Sequence, residues 1–348
     1  METIVSTADI FVTGGAGYIG SHTCVELLEA GYQVTVLDNF SNSSPMSLDR
    51  VKQITGREVR LIEGDIRDQA LLNRLFQERP YAGVIHFAGL KAVGESCQLP
   101  LKYYDNNISG TIALLQAMAQ NDIKTFIFSS SATVYGEPQF LPLTETHGLA
   151  PTNPYGRSKL MVEEVVRDLW KSDPSWAIAI LRYFNPVGAH KSGLIGEDPR
   201  NIPANLMPYL AQVAVGRLPR LTVHGNDFDT PDGTGVRDFI HVADLACGHV
   251  QALQALQAKP AMLTLNLGTG AGHSVLELRD VFERVCRQPL PYQIGPRRPG
   301  DVAASFADCS LASREIGWKT RYSLQDMCED TWRWQSNNRA GFASGANS

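Results

Sequence analysis

The sequence lacks the features that mark membrane and secreted proteins. No apolar stretch approaches the roughly 20 residues that a membrane-spanning helix needs. The first residues, METIVSTADIFVTGG, show no basic segment followed by a long apolar one. We therefore expect a cytoplasmic protein that does not associate with a membrane.

Cysteine pairs and basic clusters are missing as well. The six cysteines are widely scattered and form no Cys-x-x-Cys pair, so neither a zinc site nor a redox pair is indicated and we expect no metal. The formal net charge is −5 and lysine and arginine form no run, so nucleic acid is not an expected partner. The composition that remains, 43% hydrophobic and 19% charged over 348 residues, suits two lobes around one cleft.

Short apolar runs alternate with longer helical patterns from residue 9 to about residue 183. The runs are almost continuously apolar, as in parallel strands that are covered on both faces. Right-handed crossovers would then give a doubly wound parallel sheet whose ligand crevice lies at the carboxyl ends of the strands. The predicted strands are Ile10–Thr13, Gln33–Leu37, Glu58–Ile62, Gly83–Phe87, Thr125–Phe128 and Ala177–Leu181. The predicted helices between them are Ile19–Ala30, Gln69–Glu78, Leu101–Asn121 and Pro154–Lys171.

After residue 185 the sequence becomes rich in Gly, Pro and Asn, with isolated helical patterns. This texture predicts a smaller mixed α/β lobe. We expect an α/β Rossmann domain over residues 1–186, with residues 236–270 returning to it, a substrate-binding domain over 187–340, and a frayed tail over 341–348. The predicted later helices are Ala204–Gly216, Ala243–Leu256, Leu276–Cys286 and Ser323–Gln335.

A glycine-rich loop follows the first predicted strand. Gly14, Gly17 and Gly20 have the spacing that forms a tight turn, allows close approach of a pyrophosphate and lets the next helix pack on the sheet. Asp38 ends the second strand, where a carboxylate accepts hydrogen bonds from an adenosine ribose and repels a 2′-phosphate. The pattern predicts NAD rather than NADP. Asp38 and Asn39 could also form a simple strand-ending turn.

Two further strand ends should reach the same crevice. Asp65 ends the third strand, and Phe87, Ala88 and Gly89 follow the fourth; all are expected near the adenine and its ribose. His86 precedes them, and a buried core histidine is the interpretation that we favour for it.

A reactive group is predicted from a serine-rich strand end and a Tyr-x-x-x-Lys pattern. Tyr155 and Lys159 are four residues apart on a predicted helix and so share one face. A phenol has a pKa near 10, so we expect Lys159 and an oxidised nicotinamide to lower the pKa of Tyr155 and make it a base. Ser131 and Thr133 would hold or relay the proton of a substrate hydroxyl. The alternative is a surface pair on an amphipathic helix.

The sequence resembles the UDP-galactose 4-epimerases from Phe11 to about Gln335. Strings that carry the resemblance include HFAGLKAVGES, SSSATVYG, LRYFNPVGAH, GEDP, NLMPY and DGTGVRDFIHV. It implies a reaction in which NAD oxidises the 4-hydroxyl of a UDP-sugar, the 4-ketopyranose rotates, and the hydride returns to its other face. The cofactor-binding residues that we predict are Gly14, Gly17, Tyr18, Ile19, Gly20, Asp38, Asn39, Asp65, Ile66, Phe87, Ala88, Gly89, Lys91, Asn106, Ser129, Tyr155, Lys159 and Tyr183.

The resemblance also implies a nucleotide-sugar site. Two arginines, Arg237 and Arg298, would bind the diphosphate, for which guanidinium groups are well suited; a structural ion pair of Arg237 with Asp232 or Asp238 is the alternative. Asp301 would bind the uridine ribose. The predicted substrate-binding residues are Lys91, Ser131, Tyr155, Phe184, Asn185, Asn205, Leu206, Thr222, His224, Arg237, Arg298, Asp301 and Ser305.

Two positions depart from the family pattern. His224 stands where relatives more often have a phenylalanine against the uracil, so we expect weakened but retained nucleotide binding. Ser305 stands where a tyrosine is typical of enzymes restricted to glucose and galactose, so its small side chain predicts activity on UDP-GlcNAc and UDP-GalNAc as well.

Three further expectations follow from the resemblance. The family is typically a homodimer, here through Leu101–Asn121 and Pro154–Lys171, although an apolar helix face can equally pack inside the subunit. A nucleotide-sugar 4,6-dehydratase or decarboxylase on the same scaffold is an alternative activity, but Ala132 and Val134 flank Thr133 where a dehydratase needs acids. A non-catalytic NAD sensor is a second alternative, and it would be expected to lose Tyr155 or Lys159.

Overall fold

The computed structural model of the protein describes residues 8–298 and 300–342, and its strands form three sheets. Their bounds in chain order are β1 (Asp9–Thr13), β2 (Gln33–Asp38), β3 (Arg60–Glu63), β4 (Tyr81–His86), β5 (Thr125–Ser131), β6 (Ala177–Tyr183), β7 (Asn185–Val187), β8 (Leu221–His224), β9 (Val236–His241), β10 (Met262–Leu267), β11 (Gly272–Ser274), β12 (Tyr292–Gly295) and β13 (Ala304–Ser305).

The largest sheet has seven strands in the order β10-β6-β5-β4-β1-β2-β3. Every neighbouring pair in it is parallel. The order reverses at β1, where the chain first builds outward through β2 and β3 and then returns to β4 on the other side. Such a reversal opens a crevice at the carboxyl ends of the strands. The predicted doubly wound Rossmann sheet is therefore confirmed.

Helices cover the sheet and build the second lobe. Their bounds are α1 (Tyr18–Glu29), α2 (Met46–Thr55), α3 (Gln69–Glu78), α4 (Val93–Gln98), α5 (Pro100–Tyr104), α6 (Gly110–Gln120), α7 (Pro154–Ser172), α8 (Leu206–Ala214), α9 (Val242–Ala258), α10 (Val275–Cys286), α11 (Ser310–Ile316) and α12 (Leu324–Asn337). A π-helical stretch, Asp105–Ser109, joins α5 to α6, and a 3₁₀ turn, Ala132–Val134, follows β5.

The predicted single helix over 101–121 is thus divided by its π-helical stretch. Three helices, α2, α4 and the seven-residue α11, were not predicted. The sequence SNSSP before α2 is typical of a turn, and α4 has six residues and contains Gly94, so its pattern is too short to identify.

Four apolar clusters form the core of the described residues; three are large, and the smallest lies around Tyr135, Leu143 and Phe184. One face of the large sheet packs on α1 and α9, around residues such as Val25 and Leu253. The opposite face packs on α3, α6 and α7, around residues such as Leu115 and Val166. The third cluster joins α8, α10 and α12 in the smaller lobe, where Leu210, Leu278 and Cys328 are buried.

The chain leaves the large sheet after β6 and comes back to it at β10, which lies beside β6 in parallel register. Strand β9, which lies between β6 and β10 in the chain, pairs with β7, β11 and β13. Strand β8 pairs with β12. The smaller lobe is therefore built from residues that precede and follow the last strand of the Rossmann sheet.

The end of the described chain is packed rather than free. The ring of Phe342 lies 4.9 Å from that of Trp334, and its backbone N–H donates to Asp198 Oδ2 at 2.8 Å. The predicted frayed tail over 341–348 is therefore wrong for Gly341 and Phe342, and the rest of that tail lies outside the described residues. None of the helices within residues 8–298 and 300–342 is long and apolar enough to cross a membrane.

Candidate functional site

The glycine loop between β1 and α1 is folded tightly against the sheet edge. Gly14 has φ +70°, and a Cβ on it would lie 2.7 Å from Ala88 N. A Cβ on Gly20 would lie 2.4 Å from Gly14 O, because the first turn of α1 crosses directly over the loop. Gly17 precedes α1 without any side-chain cap, so the first N–H groups of the helix are left for an anion. This cradle fits the pyrophosphate of a dinucleotide.

Asp38 is buried at the end of β2 beside this loop. Its carboxylate accepts from Ala16 N at 3.0 Å, Phe40 N at 2.9 Å and Ser43 Oγ at 2.8 Å. The strand-ending turn that we considered as an alternative is therefore present, but the same bonds also hold the carboxylate beside the phosphate cradle. A fixed negative charge here is compatible with a ribose hydroxyl and not with a 2′-phosphate.

Asp65 and Asn39 lie together at the next strand end. Asn39 Nδ2 donates to Asp65 Oδ2 at 3.0 Å, and Arg67 binds the same carboxylate through Nε and Nη2, both at 2.9 Å. These bonds with Arg67 hold the pKa of Asp65 well below its usual range. The Asp65 carboxylate is thus held in place and charged at the sheet edge where we predicted the adenine to bind. Ile66, the next residue, is buried.

His86 is a structural residue. Its Nδ1 and Nε2 lie 2.6 Å and 2.8 Å from the hydroxyls of Thr13 and Thr111. Burial lowers the pKa of His86 to about 3, and the charge of Lys159 adds to this effect. The favoured interpretation of a buried core histidine is confirmed. The backbone N–H groups of Phe87 and Ala88 both donate to Thr13 O, which holds the following segment against the glycine loop.

Tyr155 and Lys159 lie on the face of α7 that packs against the carboxyl end of β5. The helix begins with Pro154, and Asn153 caps it by accepting from Gly156 N at 2.9 Å. Lys159 Nζ donates to Ser129 O at 2.8 Å and lies 5.9 Å from the centre of the Tyr155 ring. Both residues are buried. The alternative of a surface pair is therefore wrong.

The serine-rich segment completes this group. Ser131 ends β5, and its Oγ accepts from Thr133 N at 3.2 Å and from Thr133 Oγ1 at 3.0 Å. Burial raises the pKa of Tyr155, and a hydrogen bond with Ser131 partly offsets that rise. The phenol, two hydroxyls and an ammonium group thus surround one position at the carboxyl end of β5.

The lowering of the Tyr155 pKa that we expected from Lys159 is not found in the chain alone. The ammonium of Lys159 is directed to a backbone carbonyl, and burial acts in the opposite sense on the phenol. Burial also lowers the pKa of Lys159 to about 8, opposed by the charge of Glu163. The other positive charge that we expected to act on Tyr155, that of the oxidised nicotinamide, belongs to the cofactor and not to the chain.

Two buried groups of this site were not identified from the sequence. Glu163 accepts from Ser130 Oγ at 2.6 Å and from Arg182 Nη2 at 2.6 Å. His249 on α9 has its Nε2 3.1 Å from Ser129 Oγ. The partners are 19 to 120 residues apart in the chain, so no local pattern indicates them; the only signal is the position of Glu163 four residues after Lys159.

Other predicted cofactor residues lie around the same edge. Tyr18 OH donates to Gly188 O at 2.7 Å, which ties α1 to the smaller lobe, and Ile19 packs on the core beneath it. Asn106 Nδ2 donates to Asn107 Oδ1 at 2.9 Å. A Cβ on Gly89 would lie 3.7 Å from Lys159 Nζ, and the ring of Tyr183 lies 6.0 Å from that of His249.

The predicted diphosphate residues form a cationic group in the smaller lobe. Arg237 Nη2 lies 3.9 Å from Asp301 Oδ1, and Arg298 Nε donates to Asp301 Oδ2 at 3.0 Å. Burial lowers the pKa of Arg237, and Asp301 opposes that effect. Two guanidinium groups, that of Arg237 partly buried and that of Arg298 exposed, lie around one carboxylate and leave a net positive charge at this place.

The alternative partners of Arg237 are engaged elsewhere. Asp238 accepts from Thr269 Oγ1 at 2.6 Å and from Ala307 N at 3.1 Å. Asp232 accepts from Thr234 Oγ1 at 2.7 Å and also bonds to Ser274. The structural ion pair of Arg237 with Asp232 or Asp238 is therefore wrong.

The remaining predicted substrate residues lie at the end of β6 and on strands of the smaller lobe. Ser305 pairs with Arg237 in parallel register, so a small side chain stands next to a proposed diphosphate ligand. His224 ends β8, with Nδ1 3.3 Å from Pro296 O, and Thr222 Oγ1 accepts from Gln293 Nε2 at 3.2 Å. Phe184 is buried at the end of β6, and Asn185 begins β7.

Lys91 and Asn205 contact a residue that was not predicted to belong to the site. Lys91 Nζ lies 3.0 Å from Glu197 Oε1, and Asn205 Nδ2 donates to the same oxygen at 3.0 Å. Leu206 follows as the first residue of α8. Within the described ranges, no group of three or more His, Cys, Asp or Glu side chains is arranged to hold a metal ion.

Comparisons with known proteins agree with this geometry. The family model described as GDP-mannose 4,6 dehydratase matches residues 11–331. A UDP-glucose 4-epimerase of Bacillus subtilis is 57% identical over 335 residues, which are 96% of this chain and 99% of that protein. The crystal structure of a UDP-glucose 4-epimerase from Bifidobacterium longum, in complex with NAD⁺ and UDP, has a TM-score of 0.94 and 55% identity, and the match covers 96% of this chain and 100% of that chain.

A second solved structure is similar to the same extent. The UDP-glucose-4-epimerase from Stenotrophomonas maltophila, with bound NAD and formylated UDP-arabinopyranose, has a TM-score of 0.93 and 53% identity, with 95% of this chain and 98% of that chain covered. The resemblance seen in the sequence is thereby confirmed over nearly the whole chain. The chain belongs to the UDP-glucose 4-epimerase family.

Proposed function

We propose that this protein interconverts UDP-glucose and UDP-galactose at a site that holds NAD between turnovers. The observation that carries the proposal is the group formed by Tyr155, Ser131, Thr133 and Lys159, which lies at the same sheet edge as the glycine cradle. A reaction without net redox change needs a cofactor that stays bound, and relatives at 53% to 57% identity include structures with NAD.

The residues of the chain divide the chemistry between them. Bound NAD would supply a hydride acceptor that returns the hydride in the second half of the reaction. Tyr155 takes the proton of the sugar 4-hydroxyl through its phenolate oxygen and gives it back later. Ser131 and Thr133 orient that hydroxyl, and Lys159 binds the nicotinamide ribose. Burial of both Tyr155 and Lys159 excludes water from the proton path.

The smaller lobe, residues 187–340, would hold the nucleotide. Arg237 and Arg298 suit the two phosphates, and Asp301, which now bridges them, would accept from the uridine ribose. Tight binding of the nucleotide leaves the 4-ketopyranose free to rotate, because the binding energy then comes from groups far from the reacting carbon. His224 would stack on the uracil.

The chemistry of a 4,6-dehydratase is less well supported, although the matching family model carries that description. Elimination of water needs an acid and a base next to the active-site threonine. Thr133 instead lies in a short turn between Ala132 and Val134, neither of which can transfer a proton.

The direct test is an assay of the purified protein with UDP-galactose and no added NAD. We expect UDP-glucose to form, and its formation would be measured with a coupled dehydrogenase. Replacing Tyr155 by phenylalanine should lower kcat by about 10²- to 10⁴-fold while NAD stays bound, because only the general base is removed. Undiminished turnover in Y155F would contradict the mechanism, and an inactive wild type would contradict the function.

We also propose that the site accepts N-acetylated sugars. Ser305 lies beside Arg237 in the sheet and leaves room for an acetamido group. The variant Ser305→Tyr should lose activity on UDP-GalNAc by about 10²-fold or more, because overpacking the pocket excludes the larger sugar, while it keeps activity on UDP-galactose. A panel of all four UDP-sugars on both proteins measures this. Wild type that turns over neither acetylated sugar would refute the proposal.

We also propose that the protein is a homodimer in the cytoplasm. Apolar side chains are exposed on the helices that we predicted to pair, including Leu101, which is 80% exposed, and Met161, which is 40% exposed. Such a group on two neighbouring helices is typical of a subunit interface.

A further inference from the structure

One carboxylate connects the two lobes across the cleft. Glu197 lies in the loop before α8, and its side chain is only 11% exposed. Its Oε1 accepts from Lys91 Nζ, in the loop after β4, and from Asn205 Nδ2, at the start of α8, both at 3.0 Å. A single oxygen therefore sets the position of one proposed ligand-binding residue on each side of the cleft.

Asn205 donates to Glu197 and does not cap its own helix. An asparagine at the residue before a helix ordinarily accepts from the second or third N–H of that helix. Asn205 makes no such bond, and Pro208 at the third position has no N–H to offer. The N–H groups of Leu206 and Met207, which have no acceptor within the helix, are left for another group. The helix dipole makes an anion the favoured one.

The loop that carries Glu197 packs against Trp334 and is bonded to Arg50. A Cβ on Gly196 would lie 2.4 Å from the Trp334 ring, and Trp334 Nε1 donates to Glu197 O at 3.3 Å. Arg50 Nη1, from α2 of the other lobe, donates to Leu194 O at 2.9 Å. The backbone of this loop is therefore held from both lobes, which limits how far the Glu197 carboxylate can move.

We infer that Glu197 is a positioning residue for substrate binding. It orients Lys91 and Asn205 and keeps the first turn of α8 open to the diphosphate of the nucleotide-sugar. The inference rests on the proposed function, because it assumes that a UDP-sugar occupies the cleft. Glu197 does not touch the reacting carbon in this account, so it contributes to binding and not to the chemical step.

The test compares Glu197→Ala with Asn205→Ala and with the double variant. We expect E197A to weaken binding of UDP, measured by calorimetry, and to raise KM for UDP-galactose, each by about 10-fold, the usual effect of losing a hydrogen bond to a charged group. The value of kcat should stay within about 2-fold of wild type. The double variant should lose less than the sum of the two single losses, because both changes remove the contact between Glu197 and Asn205, while only E197A also removes the contact with Lys91.

The matched control is Glu58→Ala, which removes a glutamate from a surface ion pair, where its side chain is 77% exposed; it should change none of these values. The inference is overturned if E197A binds UDP within 2-fold of wild type, if its loss is additive with that of N205A, or if kcat and the melting temperature fall together with binding, as they would for a merely structural residue. Calorimetry measures the effect of E197A on UDP binding even if the wild type has no epimerase activity. Failure of this inference can therefore be distinguished from failure of the proposed function.

Discussion

At the scale of single residues, the glycines of this protein differ in what a side chain would meet. A Cβ on Gly20 would lie within 2.7 Å of two atoms of the glycine loop, whereas a Cβ on Gly94 in α4 would meet nothing within 4 Å. Both glycines are in helices. The requirement for glycine is therefore a property of the helix crossing at the cofactor cradle and not of helices in general.

We predict that Gly20→Ala forces α1 away from the loop and greatly reduces bound NAD, because Gly14 O and Gly15 Cα cannot both move. Gly94→Ala should retain NAD and leave the free energy of unfolding unchanged or up to about 1 kcal/mol higher, since alanine favours a helix. Absorbance of released NAD and chemical denaturation of both variants measure these effects. Equal NAD content in the two variants would contradict the crossing argument.

Residue positions in the fold were predicted better than residue environments. The sequence located Tyr155, Lys159, Ser131 and Asp38, because their spacing relative to strands and helices carries the information. It did not indicate that burial raises the pKa of Tyr155, since burial depends on elements that pack from distant parts of the chain. The same reason explains why Glu197 was not identified.

At the scale of elements, a buried ionic group joins α7 to β5 and β6. Glu163 is fully buried on α7. Arg182 on β6 binds both of its carboxylate oxygens, through Nε at 3.0 Å and Nη2 at 2.6 Å, and Ser130 on β5 donates to one of them. The bonds with Arg182 lower the pKa of Glu163 against the opposing effect of burial. The helix that carries Tyr155 is thereby locked to the strand that carries Ser131.

We predict that Glu163→Gln lowers the free energy of unfolding by about 3 to 5 kcal/mol, because it leaves Arg182 buried and unpaired. Arg167→Ala, which removes the partly exposed arginine that also contacts Glu163, should cost only about 1 kcal/mol. Urea denaturation of the two variants at pH 7.5 makes the comparison. A loss below about 1 kcal/mol in E163Q would show that the pair does not lock the elements.

The elements themselves were largely predictable from the sequence. All six strands predicted before residue 185 are present, since continuous apolar runs between helical patterns specify buried parallel strands. The division of the helix at Asp105–Ser109 was not predicted, because a π-helical stretch leaves no mark on an otherwise apolar helical pattern. The strands β7, β11 and β13 were missed as well, and each is only two or three residues long. The longer strands β9, β10 and β12 were also not predicted, because the Gly/Pro/Asn-rich sequence after residue 185 hides their apolar runs.

At the scale of the whole molecule, three buried histidines stay neutral in the folded state. Burial lowers the pKa of His22 and of His86 to about 3 and that of His249 to about 4. His22 on α1 and His249 on α9 lie on one face of the sheet, and His86 on β4 contacts Thr111 of α6 on the other. In the unfolded chain each would bind a proton near pH 6.5.

We therefore predict that stability is full above pH 6.5 and falls as the pH is lowered toward 4, because the unfolded state then binds protons that the folded state does not. Each histidine contributes a slope of about 1.4 kcal/mol per pH unit. Denaturation between pH 7.5 and 5.0 measures the slope, and His249→Gln, which cannot be protonated, should lower it by about a third. A flat profile over this range would contradict the prediction.

The return of the chain to β10 has a consequence for synthesis on the ribosome. Until residues 262–267 emerge, β6 is an edge strand whose apolar residues, Ile178, Ile180 and Leu181, have no neighbour on one side. The cofactor half therefore cannot finish folding when its first 186 residues have been translated, and must wait for about 80 more. During that interval the nascent chain exposes an unpaired, apolar strand edge of the kind that aggregates and that chaperones bind.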